Sequence, residues 1–340
     1  MSLPSELPIV QAPMAGGPNT PALTAAVAAA GGYGFVAAGY LSADGLREAI
    51  AATRMLSQAP FGVNLFVPSE PGDRTEIAAY AEALQPDVER MGVGLGEPRW
   101  DADSYDAKLE VVATSGVHLV SFTFGCPDAE VIDRLHRAGV QVAVTVTSVL
   151  EAQISADAGT DLLVVQGTEA GGHQAGFADL AANSRPLLSI LAEIRGRTDV
   201  PLIGTGGVMT GRDAAEVLGA GAIAVQIGTA LLCTPEAGTS ALHRQVLLDG
   251  RYPDTILTRA YTGRFARGLA NRFALDHSGQ APQAYPEVHH LTRPLRSAAT
   301  QAGDTSMPNF WAGLGWRHIA AGPAATVVRR IAADARQAQY

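Results

Sequence analysis

The sequence predicts an α/β protein, a (β/α)8 TIM barrel with a mainly helical subdomain inserted after the eighth strand. Two observations carry that reading. From residue 7 to residue 228, short apolar runs alternate with longer alanine-rich stretches, the pattern of parallel strands joined by crossover helices. Glycine-rich turns then follow the last two apolar runs, where barrels commonly bind phosphate.

The apolar runs are 8–11, 34–38, 62–66, 118–122, 141–146, 161–166, 201–205 and 222–227. Each is nearly continuously hydrophobic, as a strand buried on both faces requires, and eight is the number that closes a barrel. Between them, 21–30, 43–55, 129–138, 149–158 and 211–218 read as helices. Ser42 offers a cap before the second of these, and Gly139 and Gly159 stand at the far ends of two others. The third connection holds two helical stretches, 77–84 and 107–115, with room for an extra helix or lid. After Gly228 the rhythm stops: residues 230–310 read as helices and loops broken by prolines, without apolar strand runs. The expected organisation is a barrel of 1–229 plus 311–340, with a helical subdomain over 230–310 and a last barrel helix over 316–338. A doubly wound open sheet would alternate in the same way, and the positions of the glycine motifs favour the barrel.

Composition narrows the function classes. A chain of 340 residues, 47% hydrophobic and 17% charged, is a compact enzyme-like protein and not a disordered one. A net charge of -9 without a basic stripe argues against a nucleic-acid partner. The two cysteines, Cys126 and Cys233, form no metal-ligand cluster and no disulfide framework, which suits a reducing cytoplasm. No basic segment followed by an apolar run opens the chain, and no stretch reads as a membrane span.

Gly204-Thr205-Gly206-Gly207 follows the seventh run and Gln226-Ile227-Gly228-Thr229 the eighth. Backbone N–H groups approach a phosphate closely only where side chains are absent, so Gly206, Gly207, Gly228 and Thr229 have the required chemistry. Glycine also suits any strand-to-helix turn; two such motifs at the last two strands favour phosphate. Neither GxGxxG at the first strand turn nor GxxxxGK[ST] occurs, which points away from a Rossmann dinucleotide or a P-loop nucleotide.

Gln166-Gly167-Thr168-Glu169-Ala170-Gly171-Gly172-His173 leaves the sixth run. Its glycines let the main chain lie against a planar ligand, and it delivers His173, whose ordinary pKa near 6.5 suits a base working near neutrality. A surface loop with an incidental histidine is the alternative; the place after a barrel strand favours the base. Glu169 reads as a loop-ordering carboxylate. Asn64, Gln166 and Gln226 are amides at strand ends that need partners, which a cofactor edge or neighbouring backbone could supply. His118, His136, His243, His289 and His290 compete less well, the last two falling in the irregular subdomain. No metal is assigned.

Four ordered segments, Gln11-Ala12-Pro13-Met14-Ala15-Gly16-Gly17, Phe61-Gly62-Val63-Asn64-Leu65-Phe66, Glu169-Ala170-Gly171-Gly172-His173 and Gln226-Ile227-Gly228-Thr229, resemble the nitronate monooxygenase family, formerly grouped as nitropropane dioxygenases, in its bacterial class I branch. The resemblance runs from residue 8 to about 315. It implies an FMN-bearing barrel, with Ala12, Pro13 and Met14 beside the flavin, Asn64, Gln166, Gly171, Gly207, Gln226, Gly228 and Thr229 contacting the cofactor, and the catalytic histidine at His173. The implied reaction oxidises an alkyl nitronate, propionate 3-nitronate being favoured, with O2 to a carbonyl compound and nitrite, electrons passing singly between nitronate, flavin and oxygen. His173 would act as base, or as an imidazolium holding an anion. Tyr261-Thr262-Gly263-Arg264-Phe265-Ala266-Arg267-Gly268 resembles a pocket-closing segment of the family; Arg264 or Arg267 could balance an anion, and surface or interdomain ion pairs are the favoured reading of both. One departure is Leu314, where the family often carries Gln beside the flavin.

The expected partners are a small nitronate and O2, with a homodimer left open. Rival readings are an FMN-dependent NADH-using reductase acting on enoyl-acyl carrier protein or quinone, a non-catalytic flavin-binding sensor, and a flavin-free phosphosugar enzyme.

Overall fold

The computed structural model describes residues 3–338. Its strands are β1 (Ile9–Gln11), β2 (Gly34–Ala37), β3 (Phe61–Phe66), β4 (Leu119–Thr123), β5 (Gln141–Val146), β6 (Leu162–Gln166), β7 (Gly172–His173), β8 (Leu202–Thr205), β9 (Ala224–Ile227), β10 (Thr255–Thr258) and β11 (Ala266–Leu269). Eight of them run parallel in the order β1-β9-β8-β6-β5-β4-β3-β2. A bridge between Val10 and Tyr33 joins the two ends, with Gln11 N donating to Tyr33 O at 2.8 Å and Tyr33 N to Ile9 O at 2.9 Å. The protein is therefore an α/β TIM barrel, and the eight apolar runs supply its eight staves with ends displaced by a residue or two.

Neighbouring residues along each strand point to opposite faces and so join different cores. Val10, Phe35, Leu119, Ala143, Leu162, Val164, Ile203 and Ala224 fill the barrel interior. Their neighbours Ile9, Val36, Val120, Val142, Val144, Leu163 and Val165 pack outward against the helices. With apolar demand on both faces, the strands read as continuous hydrophobic runs. The helix Ala324–Ala338 packs on the helix Gly211–Gly219 and completes the outer layer.

The sequence reading differs from the structure in four places. The third connection holds three helices, Arg74–Ala83, Gln85–Met91 and Tyr105–Ser115. The first contributes Ile77 and Tyr80, and its junction with the second contributes Leu84, to a separate core with Tyr261, Phe273, Val288 and Leu295, against which Val88 and Met91 of the second pack. The segment 230–310 contains the helices Ala241–Asp249, Arg272–His277 and Glu287–Gln301, but it also contains β10 and β11, contrary to the expectation of no strands. Those strands, TILT and ARGL, mix polar and apolar residues and give no apolar run; antiparallel pairing with each other and with β7 holds them. His289 and His290 stand on a regular helix, not in irregular chain. The expected helix over 316–338 is a single 3₁₀ turn, Trp316–His318, followed by Ala324–Ala338, because Gly322 at φ +147° and Pro323 interrupt it. Among the described residues no helix is long and apolar enough to cross a membrane.

Candidate active site

A cavity of about 400 Å³ opens at the C-terminal ends of the barrel strands. The expected catalytic and cofactor-contacting residues line it: Ala12, Pro13 and Met14 beyond β1, Asn64 on β3, Gln166 ending β6, Gly171 and His173, Gly206 and Gly207 beyond β8, and Gln226, Gly228 and Thr229 around the end of β9. A site assembled from several strand ends is the usual arrangement of this fold.

The β8 and β9 ends are adjacent, Thr205 pairing with Gln226, so their two glycine turns face the same space. The backbone N–H groups of Gly206, Gly207, Gly228 and Thr229 make no hydrogen bond to other described residues. Clustered unsatisfied amides need an acceptor, and a phosphate is one that fits. Gly207 must be glycine: its φ is +73°, and a Cβ there would come within 2.8 Å of Glu169 Cβ. Both groups of the Asn64 amide can be accounted for. Its Nδ2 donates to Ser121 O at 3.2 Å, Ser121 Oγ at 3.0 Å and Thr123 Oγ1 at 3.0 Å. Its Oδ1 takes no hydrogen bond among the described residues and is left to the cavity. Neighbouring backbone and hydroxyls thus satisfy half of the amide.

His173 is held from three sides. Its strand β7 pairs with β11, His173 opposite Ala266 and Gly172 opposite Arg267. The Gln166 amide brackets the same turn, donating from Nε2 to His173 O at 3.1 Å and accepting from Ala175 N at 2.8 Å. The imidazole Nε2 lies 2.9 Å from Thr262 Oγ1, and that hydroxyl lies 3.2 Å from Arg264 O. With the Thr262 proton donated to the carbonyl, Thr262 accepts from Nε2–H, and the lone pair of Nδ1 is the basic position. Phe124, Tyr285 and Trp311 surround the ring, with centroids 5.7, 5.5 and 5.7 Å away. Burial, reinforced by the charges of Arg264 and Arg296, pushes the His173 pKa down to about 3, so the imidazole is neutral at physiological pH.

Glu169 orders the loop as its sequence position suggests, accepting from Leu187 N at 3.0 Å at the start of the helix Leu187–Arg195. Among the described residues Arg264 and Arg267 have no carboxylate within ion-pair distance, contrary to the surface or interdomain ion pairs that the sequence suggests. Both are buried and spend their N–H groups on carbonyls and hydroxyls: Arg264 on Gln174 O at 3.3 Å and on Gly176 O, Arg267 on Thr168 O at 2.9 Å and Thr255 Oγ1 at 3.0 Å. The Arg264 guanidinium also stacks over the Phe124 ring, its central carbon 4.1 Å from the ring centroid. These arginines rivet the β11 segment to the His173 loop. Leu314 is 51% exposed and lies outside the cavity lining.

The wall also holds Tyr40 and Arg296, which the sequence did not single out, His243 and His289, which it set aside, and Thr262 and Trp311, which it noted only as parts of longer segments. His289 stacks on Tyr40 at 4.4 Å, and the Tyr40 hydroxyl accepts from Tyr285 at 2.9 Å. Burial lowers the pKa of His243 to about 4 and, with Arg296 beside it, that of His289 to about 2. A signal for Arg296 does exist in the sequence. On the helix Glu287–Gln301 it occupies the stripe of Val288, Leu291, Leu295 and Ala299, where a cation is out of place.

A TIM barrel with free amides at its last two strands and a buried neutral histidine at the same mouth has the layout of a barrel enzyme. The family model described as nitronate monooxygenase matches residues 3–334. The chain belongs to the nitronate monooxygenase family and is a flavin-dependent oxidoreductase. A "Probable nitronate monooxygenase" of Staphylococcus saprophyticus is 36% identical over 318 residues, covering 90% of this chain and 88% of that protein. Among solved structures, nitroalkane oxidase from Streptomyces ansochromogenes superposes with a TM-score of 0.96 at 46% identity, covering 99% of this chain and 97% of that one. FabK from Thermotoga maritima shares the fold, with a TM-score of 0.77 at 24% identity, covering 98% and 94%.

Proposed function

We propose that the protein binds FMN and oxidises alkyl nitronates, propionate 3-nitronate among them, with O2 to a carbonyl compound and nitrite. The observation that supports it most is the sharing of one cavity by the free amides of the β8 and β9 turns and by the buried imidazole of His173. The residues fit the cofactor: Gly206, Gly207, Gly228 and Thr229 would hold its phosphate, and Asn64 Oδ1 and Gln226 would meet polar edges of the ring. When bound, the flavin supplies the redox step, receiving electrons from the nitronate and passing them to O2.

The chain's own residues handle the proton and the positioning. With Nε2–H committed to Thr262, His173 receives the α-proton of a neutral nitroalkane at Nδ1. Its lowered pKa keeps it in the form that can accept, which favours the base over the imidazolium. A nitronate arriving already deprotonated bypasses that transfer. Phe124, Tyr285 and Trp311 exclude water around the imidazole.

The test is chemical identification of the cofactor and product. Purified protein should carry a yellow chromophore that is released as FMN on denaturation, and it should form nitrite from propionate 3-nitronate in air. A protein that stays colourless after FMN addition, or that forms no nitrite, refutes the proposal.

A further inference from the structure

The cavity wall carries one formal charge. Among the described residues lining it there is no Asp, Glu or Lys, the three histidines are held neutral by burial, and Arg296 is the cation that remains. Arg296 is 9% exposed. Its Nε donates to Thr292 Oγ1 at 3.0 Å, one Nη to Asn309 Oδ1 at 2.8 Å and the other to His289 O at 3.0 Å. Every one of these acceptors is neutral, and no carboxylate among the described residues pairs with it. Arg264 and Arg267 are also buried on neutral acceptors, but neither lines the cavity; elsewhere Lys108 has Asp103 at 2.7 Å, and Asp87 has both His277 and Arg272. A buried cation facing a cavity without a counter-charge is costly unless a ligand supplies one.

His289 adds a second donor beside it. The His289 Nδ1 lies 3.4 Å from an Arg296 Nη and accepts from it, which places the imidazole proton on Nε2, a nitrogen with no partner among the described residues. Stacking against Tyr40 fixes that ring's plane. The flavin phosphate has its own amides at the β8 and β9 turns, so the charge on the helix Glu287–Gln301 is left for another anion.

We propose that Arg296 selects anionic substrates: its guanidinium, with His289 beside it, pairs with a substrate oxyanion, either the nitronate group or a carboxylate on the same molecule. The proposal rests on the nitronate reading above for the identity of the substrate, and on the cavity alone for the anion site.

Kinetics of Arg296→Gln and Arg296→Lys with ethyl nitronate, propionate 3-nitronate and neutral nitroethane test it. Loss of one charged hydrogen-bonding partner should raise KM for propionate 3-nitronate roughly 10- to 100-fold in Arg296→Gln, and that for ethyl nitronate equally where the nitronate group is the partner. The KM for nitroethane and the flavin content should stay at wild-type levels, and Arg296→Lys should recover much of the loss. A greater loss with propionate 3-nitronate than with ethyl nitronate assigns the pair to the carboxylate; equal losses assign it to the nitronate. Loss of flavin from the variant, or a KM that moves equally for all three substrates, overturns the proposal. A calorimetric titration with propionate, which has a carboxylate and no nitro group, separates it from the nitronate reading. Binding by the wild type that Arg296→Gln lacks supports the anion site whether or not nitronates turn over; equal binding by both proteins overturns it.

Discussion

Thr262 Oγ1 stands 2.9 Å from Nε2 of His173, a residue 89 positions earlier in the chain. The contact fixes the tautomer of the candidate base and ties it to the segment that enters β11. It joins the two parts of the molecule at the reacting end of the cavity, since β7 and β11 pair in the same place.

Replacing Thr262 with Val keeps the shape and removes the acceptor. We expect the rate with neutral nitroethane to fall about tenfold, the size of one hydrogen bond, while the rate with preformed ethyl nitronate changes little. Steady-state assays with the two substrates check this, and equal losses for both would assign Thr262 a role unrelated to proton transfer.

His173→Asn should retain flavin and lose roughly 10²- to 10⁴-fold in kcat/KM for neutral nitroethane, the range of general-base catalysis. The measurement is kcat/KM for nitroethane on protein of matched flavin content. Turnover at the wild-type level would remove His173 from the proton-transfer step.

The phosphate cradle gives a separate prediction. Gly207→Val introduces a Cβ 2.8 Å from Glu169 Cβ at a residue whose φ is +73°. The variant should be purified largely without flavin and show far weaker FMN binding by fluorescence quenching, with far-ultraviolet circular dichroism unchanged. A cradle that holds the FMN phosphate predicts that riboflavin binds the wild type more weakly than FMN does.

The buried histidines set an acid limit on stability. His173, His243 and His289 have folded pKa values pushed down to about 3, 4 and 2, while the unfolded chain titrates near 6.5. Between those values the unfolded state binds more protons, so stability is full above about pH 6.5 and falls as pH drops. Each histidine contributes a slope of at most about 1.4 kcal/mol per pH unit. Urea melts at pH 7 and pH 5 should show the lower midpoint at pH 5, and His173→Asn should lessen the difference. The same depression predicts no loss of kcat/KM from His173 titration between pH 8 and pH 5.

The barrel was legible because its strands are buried on both faces, and β1 to β6, β8 and β9 therefore appear as apolar runs. The glycine turns and His173 were legible because close backbone approach and a lone titratable group leave marks in a short motif. β10 and β11 were not, since four-residue strands of mixed polarity derive their order from pairing with β7 and not from local pattern. Arg296, and the contact of Thr262 with His173, were hidden for another reason: each depends on a fold that brings together residues about 90 to 120 positions apart. Arg264 and Arg267 misled because arginines in a polar segment suggest exposed pairs, whereas here carbonyl groups of the loop 168–176 take up their N–H groups.

The most direct test of nitronate oxidation is anaerobic stopped-flow mixing of the FMN-loaded protein with propionate 3-nitronate or with NADH. The account predicts bleaching of the flavin absorbance by the nitronate, and an oxidised flavin that persists with NADH. Reduction by NADH together with no response to the nitronate would contradict it and make the protein a nicotinamide-dependent reductase.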